Sequence, residues 1–298
     1  MTIFTGLSAF PITPADAEGR VDADALSRLL ERLCAAGVDS IGLLGSTGGY
    51  AYLSREERGR AVSAAAEAVA GRVPLIAGVG ALRTDTAMAL AREAEKAGAD
   101  GLLLAPMSYT PLTDEEVHEH FRAVAAATSL PLCIYNNPGT THFRFGLPLL
   151  QRLADLPGVE GVKMPLPAGT ALAEDLAALR AGLPEGFAVG YSGDWGCTEA
   201  LLAGADAWFS VAGGLWPGPT LELARAAQAG DRDGTARIEA AFMPLWELFK
   251  EFGSLRVVHA AANLMDLTQA RPPRPILPLT GADLDRVAAA LARVEAVA

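Results

Sequence analysis

Lys163 closes the apolar run VEGVKM (159–164) and is followed almost at once by the prolines of MPLP, so a residue that seeks water stands where a strand should be buried. Only two other lysines occur, Lys96 and Lys250, among 24 basic side chains. An amine enclosed by apolar groups loses solvation, which favours its neutral form, and a neutral amine attacks a carbonyl to give a Schiff base. The protonated imine is an electron sink that permits C–C bond cleavage or formation without a metal. The carbinolamine on the way needs a proton shuttle, and Tyr135 in PLCIYNN (131–137) offers a phenol. A third element is the loop GSTGGYAYLS (45–54). Its glycines allow close backbone approach, and its amides with the Ser46 and Thr47 hydroxyls suit a carboxylate. Competing readings remain open on spacing alone. Lys163 could snorkel to water or pair with Asp194, and the loop could be a plain turn in which Ser54 and Glu57 form a capping box.

The elements that must position these groups are legible as short apolar segments. They are GLSAFPI, SIGLLG, PLIAGVG, GLLLAP, PLCIYNN, VEGVKM, FAVGYSG and AWFSVAG, recurring along residues 6–213. Between most of them lie alanine-rich stretches with helical spacing, such as DADALSRLLERLCAAG, many closing on glycine as helices do at a C-cap. Continuous apolar strands alternating with amphipathic helices indicate a parallel sheet covered by helices. Eight units of this kind fit a closed (β/α)8 TIM barrel, which typically takes about 250 residues. An open doubly wound sheet would usually show GxGxxG after its first strand, and none is present.

Strand signals stop near residue 217. Four helical segments follow, with RPPRPILP (271–278) as an extended link before the last. The expected organisation is a barrel over 1–225 carrying the site and a helical extension over 226–298. In a barrel, polar residues at strand C-termini face the active site. That set is Ser46, Thr47, Ser108, Tyr109, Tyr135, Asn136, Asn137, Lys163, Ser192 and Asp194. No strand end offers two histidines and a carboxylate at ligand spacing, so no metal is expected. His118 and His120 in VHEHF fall on opposite sides of a helix and read as surface or packing residues.

A formal charge of −11 with no Lys/Arg-rich block makes nucleic acid an unexpected partner. Three cysteines without metal or redox spacing fit a reducing cytoplasm. The start MTIFTGLSAFPITP lacks the basic and long apolar regions of a signal peptide, and no apolar run is long enough to span a bilayer.

Together these stretches resemble the dihydrodipicolinate synthase / N-acetylneuraminate lyase family, pyruvate-handling lysine Schiff-base enzymes on a (β/α)8 barrel with three C-terminal helices. The likeness runs from GLSAFPITP through GSTGGYAYLSREER, YNNPGTT, GVKMP and SGDW to FMPLWELF. The family's Gly-Thr-Thr-Gly loop matches Gly45, Ser46, Thr47 and Gly48. Its Tyr-Asn-x-Pro strand end matches Tyr135, Asn136 and Pro138, and its Gly-x-Lys step matches Gly161 and Lys163. The resemblance implies an imine at Lys163, a proton shuttle at Tyr135 and a carboxylate seat at Ser46, Thr47 and Gly48. It also implies a hydroxyl at Thr47 relaying the phenol's proton, substrate contacts from Asn137, Thr140, Ser192 and Phe209, no cofactor, and a homotetramer built as a dimer of dimers.

Three positions depart from the pattern. Thr140 stands where dihydrodipicolinate-forming members carry an arginine that grips the second substrate's carboxylate, Ser108 replaces a tyrosine, and Gly49-Tyr50 replaces a glutamate step. The expected function is therefore a class I aldolase or lyase acting on pyruvate or another 2-keto acid and an aldehyde. Hydroxyl or apolar contacts from Thr140, Asn137, Tyr109 and Trp195 would meet the aldehyde. The alternatives are 4-hydroxy-tetrahydrodipicolinate synthase, a dehydratase or hydratase–aldolase using the same imine, and a non-catalytic keto-acid-binding barrel. A phosphate enzyme using AGGLWPG after the last strand is a further one.

Overall fold

The computed structural model describes residues 2–297. All eight apolar segments form strands: β1 (Gly6–Ala9), β2 (Ser40–Leu43), β3 (Leu75–Gly78), β4 (Gly101–Leu104), β5 (Leu132–Tyr135), β6 (Val159–Pro165), β7 (Ala188–Ser192) and β8 (Ala207–Ser210). They pair in parallel in chain order, and β1 closes on β8 with Gly6 opposite Ala207 and Ala9 opposite Ser210. Buried on both faces, such strands need the unbroken apolar runs that the sequence supplies.

The helices between and after them are α1 (Ala23–Ala36), α2 (Arg55–Val69), α3 (Thr84–Ala97), α4 (Asp114–Ala125), α5 (Pro138–Thr141), α6 (Leu147–Ala154), α7 (Leu172–Gly182), α8 (Asp194–Leu202) and α9 (Pro217–Gln228). Three more follow: α10 (Arg232–Phe252), α11 (Ser254–Leu264) and α12 (Gly281–Glu295). α10 packs against α8, α9 and α12, which ties the C-terminal helices to the barrel wall. The helical starts are chemically marked. Asp22 accepts from the Ala25 amide at 2.9 Å, and Thr113 with Glu116 completes a capping box. Ser54 caps α2 through the Glu57 amide at 3.2 Å, but the Glu57 carboxylate does not return to close the expected box. It accepts from the Val21 amide at 2.6 Å instead, joining the start of α1 to α2.

The core has two parts. The larger lies between the barrel's outer face and the helices. The smaller fills the barrel with Phe4, Phe10, Ile76, Leu103, Cys133, Tyr135 and Phe209. Aromatic rings fit there because facing strands carry glycine. A β-carbon on Gly42 would sit 2.2 Å from the Phe10 ring, and one on Gly190 would sit 2.6 Å from Phe209. Each buried Phe contributes roughly 1.5–3 kcal/mol, so these vacancies are filled rather than left as cavities.

Candidate active site

Lys163 sits on the longest strand, β6, and its register partner on β5 is Tyr135. Its side chain reaches into the barrel interior with the residue only 4 % exposed. Three rings surround the nitrogen. Nζ lies 3.7 Å from the Phe10 ring centroid, 4.3 Å from that of Tyr135 and 5.5 Å from that of Phe209. Phe10 and Phe209 meet edge to face at 6.0 Å, so the aromatic walls support one another.

No carboxylate pairs with Lys163 among the described residues. Asp194, the pairing alternative, is buried at the start of α8 and accepts from the Ala212 amide at 2.7 Å and Trp208 Nε1 at 2.9 Å. Burial pushes its carboxyl up, and the surrounding donors hold that rise back. Its role is to tie α8 to β8 and the turn after it, and it does not line the amine's pocket.

The phenol of Tyr135 meets two polar groups. Asn137 Nδ2 donates to Tyr135 Oη at 3.0 Å and to Ser46 Oγ at 3.2 Å, and Tyr135 Oη lies 3.4 Å from Ser46 Oγ. With the amide donating, the phenolic proton is free to point at the serine. The loop that brings Ser46 there turns sharply at Leu44, whose φ of 57° is left-handed. The turn needs Gly78 across from it, because a β-carbon at 78 would fall 2.0 Å from the Leu44 carbonyl oxygen. Gly45 likewise makes room for Phe10.

The turn separates the two hydroxyls: that of Thr47 lies 3.4 Å from Ser254 Oγ at the start of α11 and makes no hydrogen bond to Tyr135 among the described residues. The hydroxyl beside Tyr135 belongs to Ser46. Successive residues of a tight turn point in different directions, and the inward one follows from the backbone at Leu44, which sequence spacing does not disclose. Gly48 is buried in the same turn.

The remaining expected residues divide. Asn137 and Phe209 are part of the constellation. Ser192, at the end of β7, donates to the Met164 carbonyl at 3.2 Å beside Lys163. Thr140 is exposed on α5 with its hydroxyl on the Asn137 carbonyl at 3.4 Å. Tyr109 is 98 % exposed and Ser108 donates to the Thr110 carbonyl, so neither reaches the amine within this chain. Trp195 lies against Lys250, whose Nζ is 5.6 Å from its ring. Asn136 is buried behind the site with Nδ2 on Met164 Sδ at 3.5 Å.

Sequence reasoning missed Phe10, whose ring is nearest to the amine; its place in SAFP at a strand end was the available signal. It also missed Tyr50 and Arg58. Arg58 is buried and donates to the Gly78 and Gly80 carbonyls at 2.8 and 2.9 Å, with its guanidinium 5.3 Å from the Tyr50 ring. Burial holds that guanidinium down to about 10 and pushes the Tyr50 phenol well up, the nearby Tyr135 phenol adding to the second effect. A cluster of metal-ligand types, Glu115, His118 and Glu119, lies away from the site on α4, where Arg152 and Arg122 pair with its two carboxylates.

The arrangement can do imine chemistry: an amine in an aromatic enclosure, a phenol beside it, and a hydroxyl and an amide to pass and orient a proton. A sequence profile of the Dihydrodipicolinate synthetase family matches residues 3–294. The 4-hydroxy-tetrahydrodipicolinate synthase of Methylococcus capsulatus is 40 % identical over 221 residues, 74 % of each chain. The crystal structure of dihydrodipicolinate synthase from Agrobacterium tumefaciens superposes with a TM-score of 0.97 at 62 % identity, covering 98 % of both chains. The chloride-inhibited enzyme from Acinetobacter baumannii, in complex with pyruvate, gives 0.89 at 29 % identity over 99 % of both.

Proposed function

The chain belongs to the dihydrodipicolinate synthetase family, and from that premise we propose that Lys163 forms a Schiff base with pyruvate or a related 2-keto acid. Membership makes the protein a class I, Schiff-base-forming lyase with small-molecule substrates. The observation that carries the assignment to Lys163 is its burial without a carboxylate partner among the described residues, 4.3 Å from the ring of a phenol that is itself bonded to Asn137 and near Ser46.

The neutral amine attacks the keto carbon, and the developing alkoxide takes its proton from Tyr135 to give a carbinolamine. Tyr135 is recharged through Ser46. The nitrogen then loses a proton, the carbinolamine hydroxyl is protonated and leaves as water, and an iminium remains. Cations are attracted to ring faces, so Phe10, Tyr135 and Phe209 stabilise this iminium where water cannot. Loss of a proton from the adjacent carbon gives an enamine, whose β-carbon attacks an aldehyde carbonyl; cleavage is the same path reversed. The 2-keto acid's carboxylate sits against the Ser46–Gly48 turn.

Thr140, in the place of a gripping arginine, favours an aldehyde recognised through hydroxyl or apolar groups over one held by its carboxylate. The second reading is 4-hydroxy-tetrahydrodipicolinate synthesis, the activity named for the relatives above, and it shares every step up to the enamine. We also read the chain as a barrel over 1–225 and an extension over 226–298, acting in the cytoplasm as a homotetramer. Exposed Tyr52, Leu82 and Tyr109 on three consecutive loops support the association, and three free cysteines support the compartment. No helix among the described residues is long and apolar enough to cross a membrane.

Pyruvate with borohydride, followed by intact mass and peptide mapping, tests the assignment. A reduced pyruvyl adduct on Lys163, absent from Lys163→Ala, is expected. An adduct mapped to Lys96 or Lys250, or none with any 2-keto acid, refutes it.

A further inference from the structure

Apart from the enclosure around Lys163, a groove of about 880 Å³ is walled by the loop between β1 and α1, the turn at Gly48–Leu53, Arg60 of α2, His259 of α11 and the 269–278 segment. That volume lies within the range of sites for metabolite-sized ligands, about 300–1,000 Å³. Its charge is unusual for a chain of net −11. Its four arginines outnumber its three carboxylates by one: Asp16 at 2.6 Å and Glu18 at 3.1 Å both pair with Arg20, and Asp22 is held at the start of α1 by the Ala25 amide. Arg60, Arg271 and Arg274 also line the groove, are exposed, and have no carboxylate partner among the described residues.

Two buried polar side chains mark the same groove. Thr13 is 6 % exposed, and its hydroxyl has no hydrogen-bond partner among the described residues. His259 is 4 % exposed, with Nδ1 donating to the Leu255 carbonyl at 2.8 Å, which leaves Nε2 as an acceptor. Three uncommitted guanidinium forks match phosphate and carboxylate oxygens, and the threonine and histidine match a hydroxyl or acid proton on the same molecule. We propose that this groove is a binding site for a small polyanion bearing phosphate or carboxylate groups, separate from the keto-acid pocket. The Gly48 turn is a shared wall, with Ser46 of the same loop facing Tyr135 on the inner side.

Calorimetric titration of the whole enzyme with pyrophosphate and, separately, citrate tests the site and distinguishes the two anion chemistries. At least one probe should bind saturably, more weakly as salt is raised. The Arg60→Ser/Arg274→Ser variant should lose about tenfold or more in affinity, as expected when charge-assisted hydrogen bonds are removed. Both positions are exposed, so its thermal unfolding should match the wild type. Lys163→Ala should bind the probe as the wild type does. Absence of saturation with either probe, unchanged affinity in the double arginine variant, or loss of binding in Lys163→Ala would each overturn the proposal; the last would place the anion in the keto-acid pocket.

Discussion

Tyr135 and Lys163 face each other across β5 and β6, with Nζ of the lysine 4.3 Å from the centre of the phenol ring. A ring that near shields the amine, and it carries the phenol proposed as the proton shuttle. Tyr135→Phe keeps the ring and removes only the proton. It should reduce kcat by about 10²–10⁴-fold, the usual range for a general acid–base, while leaving borohydride trapping at Lys163 detectable. Stopped-flow formation of the imine and steady-state turnover measure the two effects. A kcat within a factor of two of wild type would remove Tyr135 from the shuttle.

Ser46 and Thr47 are adjacent in sequence yet face different partners, Tyr135 at 3.4 Å and Ser254 at 3.4 Å. Ser46→Ala should slow proton transfer and lower kcat by about tenfold, the worth of roughly one hydrogen bond. Thr47→Val keeps the side-chain shape and loses only the contact with α11, so kcat should change little. Comparing the two under saturating 2-keto acid decides which hydroxyl relays the proton. A larger loss in Thr47→Val would reverse the assignment.

These residues also mark what the sequence could and could not disclose. Eight strands were legible because a strand buried on both faces needs a mainly apolar run, and the segment around Lys163 is such a run interrupted by exposed Glu160 near its start and by the buried amine. Register then put Tyr135 beside it. The direction of the 45–48 turn was not legible, because it depends on Leu44 at φ 57° and on Gly78 of another strand leaving space for its carbonyl. Phe10 was missed for a similar reason: its ring crosses to the amine only because Gly42 and Gly45, more than thirty positions away, lack side chains. Glu57 matched a capping-box pattern, but the competing Val21 amide was visible only in three dimensions.

The aromatic enclosure can be tested through that vacancy. A β-carbon at 42 would overlap the Phe10 ring at 2.2 Å, so Gly42→Ala displaces the ring from its place beside Lys163 at a stability cost of about 1–3 kcal/mol. The accompanying loss in activity should exceed that of Phe10→Leu, which keeps an apolar wall but removes the π face. Phe10→Leu should weaken the iminium by about 0.5–2 kcal/mol, seen as less adduct trapped at equal 2-keto acid concentration. Undiminished trapping in Phe10→Leu would mean that the ring serves packing alone.

A pH dependence of stability follows from two buried histidines. Burial lowers the imidazole pKa of His120, which meets Thr84 Oγ1 at 2.9 Å, and of His259, whose bond to the Leu255 carbonyl opposes the shift in part. In the unfolded chain both titrate near the ordinary value of about 6.5. Between that value and the lower folded value the unfolded state binds more protons, so stability rises with pH there. The contribution is complete above about 6.5 and declines as pH falls through the window beneath it. The exposed carboxylates held down by arginine partners, such as Glu31 beside Arg72, lose their contributions only at lower pH, which separates the two effects. Chemical denaturation at intervals from pH 7.5 to 5 should therefore show wild-type stability falling. His120→Gln and His259→Gln should each flatten the slope, whatever their effect on the plateau. Equal slopes in wild type and the double variant would show that neither histidine is held neutral by the fold.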